Sequence, residues 1–368
     1  MAAAKVYFSD LRTHNSVSLP EKLNRLITRA GMGEIDFGGK YAAVKIHFGE
    51  MGNLAYLRPN YARVVADFIK ARGGKPFLTD CNTLYVGSRK NALDHIETAY
   101  QNGFNPYNTG CHVMIADGLK GTDEVLVPVD GDYVHEAKIG RAVMDADVFI
   151  SLNHFKGHEG TGFGGAIKNI GMGCGSRAGK MEQHAAGKPT VYTDLCIGCG
   201  RCKAICAHDA ITIEQRKASI DHAKCVGCGR CIGVCPKDAT HAELDESNDI
   251  LCCKMAEYAL AVVKDRPQFH ISLVMDVSPC CDCHGENDLP ILPDVGMFAS
   301  FDPVALDQAC ADACLAQTPI PGSKLSEVPN TSPDHFHNSH PDTNWRTQLA
   351  HAEKIGLGTR EYELVMVG

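Results

Sequence analysis

The chain has 368 residues, 44 % of them hydrophobic and 22 % charged, with a formal net charge of −8. That is an ordinary globular composition with room for two or three domains. The acidic balance without a basic block argues against nucleic acid or an anionic membrane as partner, and no apolar run approaches the 18 residues of a spanning helix.

Residues 1–155 alternate short strands with helices. Val6–Phe8 reads as a strand, and Leu19 to Ala30 as a helix stopped by Gly31. Ala42–Ile46 is the next strand, followed by a helix from Tyr61 to Ala71 that starts near Pro59 and ends at Gly73-Gly74. Pro76–Thr79 is a strand and Asn91–Tyr100 a helix; Val113–Ala116 and Val125–Val127 are strands; His135–Met144 reads as helical and Val148–Ile150 as a strand. Such alternation predicts an α/β layer with a mostly parallel sheet and helices on both faces. The pattern returns after residue 242 with a helix over Met255–Val263 and a strand over His270–Met275. Asp302-Pro303 then opens a helix to about Leu315. Thr318–Thr343, rich in Pro, Ser, Asn and His, reads as a surface excursion whose His335, His337 and His340 are solvated. A last helix, Trp345–Ile355, and a last strand, Glu363–Val367, follow.

Between the two α/β parts lies the most specific pattern in the chain. Cys196, Cys199, Cys202 and Cys206 are spaced C-x₂-C-x₂-C-x₃-C, and Cys225, Cys228, Cys231 and Cys235 repeat this 29 positions later. This is the spacing of a bacterial two-cluster ferredoxin, in which the fourth cysteine of each run ligates the other cluster. It assigns one [4Fe–4S] cluster to Cys196, Cys199, Cys202 and Cys235, and the other to Cys225, Cys228, Cys231 and Cys206. Zinc has no use for the third cysteine of each run, and a long chain with such spacing is not a secreted disulfide scaffold. Two clusters lower the net charge to about −12, which suits a redox partner with a basic docking patch. Ala210–Ile213 and Ser219-Ile220 are expected to form the hairpin of this unit. The expected division is therefore 1–188, first part of the α/β domain; 189–242, ferredoxin; 243–368, second part. Met1–Asp10 lacks the apolar core of a signal peptide, so a reducing cytoplasm, in an oxygen-poor cell, is the expected location.

Two further constellations stand outside the clusters. Asn153 to Lys180 concentrates His154, Lys156, His158, Glu159, Lys168, Asn169, Cys174, Arg177 and Lys180 on glycine-rich backbone just after a strand. Glycines such as Gly164 and Gly165 expose N–H groups, and a loop entering a helix suits an anion. The alternative is a glycine-rich connection with solvated cations; the position outside a strand end favours a site for a small anionic substrate or cofactor. Neither a P-loop nor a dinucleotide fingerprint is present. The second constellation is Cys280-Cys281-Asp282-Cys283-His284, a candidate for a metal ion, a third cluster or reactive thiols, with Cys281 and Cys283 leading. Cys81, Cys174, His154, His158 or His184 would complete it. Cys252-Cys253, and Cys310 with Cys314, read as packing residues. Asp302 and Asp307 read as parts of a capped helix, with Asp307 a weaker candidate for a site.

Lys45–Glu50 (KIHFGE), Asn153–Cys174 (NHFKGHEGTGFGGAIKNIGMGC), Cys281–His284 (CDCH) and Asp294–Ala309 (DVGMFASFDPVALDQA) together resemble the domain of unknown function 362 family, in its branch with an inserted ferredoxin. The resemblance covers nearly the whole chain and implies two [4Fe–4S] clusters on an α/β scaffold, with no settled substrate. Pro236 keeps the ferredoxin proline, whereas the first run has Ala207 there. The sequence thus predicts an electron-transfer protein whose clusters feed a redox or metal site in the α/β part, an iron–sulfur oxidoreductase. The other reading is an electron carrier that activates another metalloenzyme and has no substrate of its own.

Overall fold

Short branched and aromatic runs become the strands of one sheet. A computed structural model describes residues 3–14, 17–85, 87–184, 188–242, 247–329 and 331–368. The strands are β1 (Ala4–Ser9), β2 (Tyr41–Lys45), β3 (Lys75–Asp80), β4 (His112–Ile115), β5 (Val148–His154), β6 (Gln268–Val274), β7 (Gly296–Ser300) and β8 (Tyr362–Met366). They lie in the order β8-β1-β7-β6-β5-β2-β3-β4. All neighbours are parallel except β7, which runs antiparallel to β1 and β6. The fold is mixed α/β with a mostly parallel sheet, as the alternation predicts.

Helices cover both faces, which is why β5 is buried at every position. On one face α1 (Leu19–Arg29) and α2 (Pro59–Lys70) set Leu23, Leu26, Val65 and Ile69 against Val44, Leu78, Ile150 and Ile271, and α3 (Ala92–Gln101) adds Ala99. The other face carries α4 (Ala166–Cys174), α6 (Asn248–Val263), α7 (Pro303–Leu315) and α8 (Trp345–Lys354), with α5 (Arg177–His184) between α4 and the cysteine-rich segment. Ile167, Ile170, Val262, Val304 and Leu349 pack there with Ala43, Phe149 and Phe298. Gly171 lets α4 lie backbone-close on α6, because a Cβ there would fall 2.1 Å from the Met255 carbonyl oxygen.

Three expectations are corrected. His135–Met144 is not a helix: Glu136–Gly140 is a strand paired antiparallel with Glu124–Pro128, and only Arg141–Asp145 turns helically. Ala137 and Ile139 are buried while Glu136 is exposed and Lys138 partly so, a period of two rather than 3.6. This hairpin stands outside the main sheet. β7 emerges from GMFAS, where no strand was expected; its five residues are all buried. The Thr318–Thr343 stretch is not a surface excursion. Phe336 is fully buried against Phe155 and Phe163, and Asp334 accepts from Trp345 Nε1 at 2.9 Å. His335 and His340 are buried too and meet the carbonyl oxygens of Gln317 and Pro279 at 2.9 and 2.7 Å. Asn330 in this stretch lies outside the described residues, as do 243–246, where the second α/β part is expected to begin.

Residues 189–242 add no strand to the main sheet. They form two antiparallel pairs, Pro189–Val191 with Thr240–Ala242 and Ile211–Glu214 with Lys217–Ile220, and two single-turn helices, Arg201–Ile205 and Arg230–Val234. Ile211, Ala218, Ile232 and Ala239 make a small core that also takes in Leu84 and Met181 from the α/β part. Among the described residues no helix is long and apolar enough to cross a membrane.

One buried ion pair joins α6 to α8. Glu257 accepts from the backbone N–H groups of Asp132 and Val134 at 2.7 and 2.8 Å and meets His351 Nε2 at 2.8 Å. The His351 imidazole is pulled up to about 9, first by its hydrogen bond with Cys253 and then by Glu257. A value raised above the ordinary 6.5 stabilises the fold below that pH, and the contribution is lost as pH rises through about 9. Denaturant midpoints measured between about pH 6 and 10 should therefore fall over this window in the wild type, and fall less in His351→Gln; parallel profiles would remove His351 as the cause.

Candidate functional site

Parallel strands bring their carboxyl ends to one edge of a sheet, and polar residues cluster there. β2 ends at Lys45 and leads into His47 and Glu50; β3 ends at Asp80; β5 ends at His154; the chain after β6 turns into Cys280–His284. Lys45 is fully buried, with Nζ 2.7 Å from Asn169 Oδ1 and 3.1 Å from Asp80 Oδ1. Burial alone would raise the Asp80 carboxyl; the surrounding cations, Lys45 foremost, outweigh it and hold Asp80 well below the usual carboxylate range. The Asn169 amide nitrogen donates to Asn153 Oδ1 at 2.7 Å, tying α4 to β5. Beside them Arg89 Nε lies 3.1 Å from Glu50 Oε2, and its Nη1 lies 3.1 Å from His47 Nε2. Burial, followed by the Arg89 charge, lowers the His47 imidazole well below its ordinary value.

The Cys280–His284 turn sits against the glycine-rich stretch. Lys168 Nζ donates to Cys281 Sγ at 2.8 Å. Burial would push the Cys281 thiol up, but a hydrogen bond from Cys283, the Lys168 charge, a contact with His158 and the Lys156 charge hold it well below the usual thiol range. Cys283 is pushed up in turn, first by that same hydrogen bond. Of the pair, Cys281 is the sulfur that loses its proton more readily and Cys283 the one that keeps it more readily. Asp282, fully buried, fixes the turn: it accepts from His154 Nδ1 at 2.9 Å and lies 3.3 Å from Lys156 Nζ. Its carboxyl lies well below the usual range, because His154 and Lys156 outweigh the effect of burial.

Among the other sequence candidates, His158 touches Cys281, and His184 lies close enough to His158 and Lys168 to feel their charges. Burial, the largest cause, and the nearness of His158 and Lys168 lower His184 to about 3. His154 has both ring nitrogens against acceptors, Asp282 and the Met275 carbonyl at 2.8 Å, so it holds the turn rather than offering a free nitrogen. Cys81 donates to the Cys174 carbonyl at 3.4 Å, and burial raises both thiols, Cys174 to about 12. The acceptor that the start of α4 takes is internal, the buried Asp307 carboxyl, which burial pushes up to about 7. Ala166 and Ile167 N–H donate to Asp307 of α7 at 2.7 and 2.9 Å, and a Cβ on Gly165 would strike that carboxylate. Gly164 instead lies under the stems of Lys168 and Lys156.

A cavity of about 50 Å³ opens between these groups, lined by Lys45, Lys156, Lys168, Lys180, Asp80 and Cys283 among others. Lys180 donates to the carbonyl oxygens of Gly175 at 2.6 Å and Gly173 at 3.5 Å. On the outer side, Glu159, Cys283 and His284 bring one donor atom each within 4.8 Å of one another. Sequence reasoning missed Lys45, His47, Asp80 and Arg89 as site residues. The signal available was a charge closing an apolar strand, at Lys45 after Ala42–Val44 and at Asp80 after Phe77–Thr79.

The eight spaced cysteines surround two small cavities. Cys196, Cys199, Cys202 and Cys235 line one; Cys206, Cys225, Cys228 and Cys231 line the other. Backbone N–H groups point at the sulfurs, from Ala218 to Cys196 at 3.3 Å, Ala210 to Cys206 at 3.4 Å and Ala239 to Cys235 at 3.2 Å. Gly198 and Gly200, and their repeats Gly227 and Gly229, all have left-handed φ, so both runs wrap alike. Burial, then the neighbouring Cys228 and Cys225, raises Cys231 to about 12. The neighbouring sulfurs thus oppose ionisation of Cys231 in addition to burial.

A family model described as a domain of unknown function, DUF362, matches residues 42–312. The thylakoid-associated protein sll1697 of Synechocystis is 28 % identical over 131 residues, which are 36 % of this chain and 36 % of that protein. The chain thus spans about a third of that curated relative. A Thermotoga maritima protein solved by a structural genomics consortium aligns with a TM-score of 0.43 and 13 % identity, over 82 % of this chain and 60 % of that one. The lactate racemase apoprotein of Thermoanaerobacterium thermosaccharolyticum gives 0.39 and 11 %, over 74 % and 51 %.

The Lys168–Cys281 pairing predicts that Lys168→Met moves the pH profile of Cys281 alkylation upward, read residue by residue by mass spectrometry with iodoacetamide. An unmoved profile would mean that Cys283 and His158 hold the thiolate unaided.

Proposed function

We propose that this chain, which belongs to the family built on the DUF362 domain, is an iron–sulfur protein that passes electrons through two [4Fe–4S] clusters to a thiol site in its α/β part. The observation that carries this reading is the pair of cavities, each lined by four cysteines, three from one run and the fourth from the other. The donor set fits: soft thiolates at ferredoxin spacing, with N–H groups directed at sulfur, suit a cube of iron and sulfide. When bound, the clusters supply one-electron transfers.

The chain's own residues then divide the work at the second site. Reduction of a Cys281–Cys283 disulfide breaks one S–S bond, takes up two electrons and one proton, and leaves a thiolate and a thiol. Lys168 holds the charge on Cys281, and Cys283 keeps the proton. Asp282, braced by His154 and Lys156, keeps the turn in place. Lys156, Lys168 and Lys180 face the same cavity and hold the negative charge of a small substrate, with Asn169 and the Gly164-Gly165 backbone shaping its floor. A metal ion or third cluster at Cys280–His284 is the second reading, favoured by the convergence of Glu159, Cys283 and His284. An electron carrier that docks a basic partner is the remaining alternative.

Anaerobically purified protein should contain about eight irons and about eight sulfides per chain. About twelve irons would establish a third cluster, and fewer than about four would end the two-cluster reading. Cys235→Ser should lose about half the iron through the cavity lined by Cys196, although Cys235 belongs to the second run. Cys281→Ser should keep all the iron yet lose the two-electron thiol titration of the site.

A further inference from the structure

Arg177, the first residue of α5, is only 1 % exposed, yet it forms no salt bridge among the described residues. Its Nη1 donates to the Lys120 carbonyl at 2.6 Å and its Nη2 to the Lys90 carbonyl. Its Nε–H has no partner among the described residues. A buried guanidinium with an idle donor is costly unless a counter-charge completes it. Asp117 is the one acid whose charge it feels, and the thiols acting on it are Cys231 and Cys228.

The two cysteine runs treat this side chain differently. A Cβ on Gly233 would lie 2.0 Å from Arg177 Nη1, and one on Gly229 would lie 2.9 Å from its Cγ. The guanidinium occupies the space those glycines leave. Their counterparts 29 residues earlier are Gly200, which has nothing within 4 Å of its Cβ position, and Ala204, which already carries a Cβ and is exposed. The glycines after the shared turns are alike in φ in both runs, so the asymmetry lies in Arg177 and in the Gly233 that makes room for it where the first run has Ala204. Solvent divides the runs in the same sense: Cys199 is exposed, whereas its repeat Cys228 is only partly so.

We propose that Arg177 makes the two clusters unequal, acting as hydrogen-bond donor and counter-charge to the cluster held by Cys206, Cys225, Cys228 and Cys231, and that this cluster is the exit toward Cys281. The inference rests on the two-cluster reading above. Reduction adds a negative charge to a cluster, and a desolvated cation beside it favours that form, raising the potential. The solvent-facing cluster at Cys199 then receives electrons, and the one beside α5 hands them on. The same helix places Lys180 in the cavity wall and His184 beside His158 and Lys168, so it runs from the second cluster to the thiol site.

Redox titration of the iron-loaded full chain, followed by electron paramagnetic resonance, tests this. The wild type should show two separate midpoint potentials. Arg177→Met should lower the higher one toward its twin and leave the lower one in place; Arg177→Lys, which keeps the charge but not the Nε–H, should lower it less. Gly233→Ala displaces the guanidinium without removing it and should reproduce the shift, so the result does not depend on Arg177→Met folding. Two equal wild-type potentials, or variants that move both potentials or neither, would overturn the role of Arg177 while leaving two clusters standing. A wild type that binds no cluster would overturn both readings.

Discussion

A single ammonium group, that of Lys45, must be solvated entirely by protein, and the edge of the sheet is built around that demand. It is fully buried and draws its partners from β3 (Asp80) and α4 (Asn169). Gly173 is open because the Lys45 stem fills the place of its Cβ, 2.3 Å away. Asn169 in turn reaches the carbonyl of Leu152 on β5 and the side chain of Asn153. An ionic centre this dry holds only if every partner is in position, so α4 is fixed to β2, β3 and β5 at once. Lys168, the neighbour of Asn169, is thereby aimed at Cys281.

Charge compensation recurs at each level of the site. Asp307 takes the start of α4 that a free anion would otherwise seek, and Asp282 absorbs His154 and Lys156 while bracing the turn. Lys168 and Lys180 face the cavity without a salt bridge to a carboxylate among the described residues, and Lys168 already serves a sulfur. The positive charge left at this edge is therefore directed at the Cys281 sulfur and the cavity beside it.

Much of this was legible in the sequence, because strands and helices with local signals declare themselves. The helix that begins at Leu19, the helix that follows Asn91, the Asp302-Pro303 helix start and the apolar strand runs lie where the pattern puts them. The nearness of Cys281 to His158 and Lys168 follows from two loops leaving adjacent parallel strands. What escaped had no local signature. Gly296–Ser300 contains two residues of low strand propensity and is a strand because both its neighbours need a partner. Residues 318–343 look solvated because their polar groups cap turns and bond carbonyls while Phe336 fills the core beneath. Lys45 and Asp80 are ordinary charges in sequence; only the convergence of two strand ends makes them a pair. Arg177 could not be told from a solvated arginine, since the gap it fills belongs to glycines more than fifty residues away.

The pairing of Pro189–Val191 with Thr240–Ala242 brings the two ends of the cysteine-rich segment side by side. β5 and β6 are neighbours in the sheet, yet on the order of a hundred residues separate them, a loop whose closure carries an entropic cost that grows with its length. A segment that fastens its own ends removes its length from that loop. The central sheet then closes across the insert as across a shorter connection, at a smaller entropic cost.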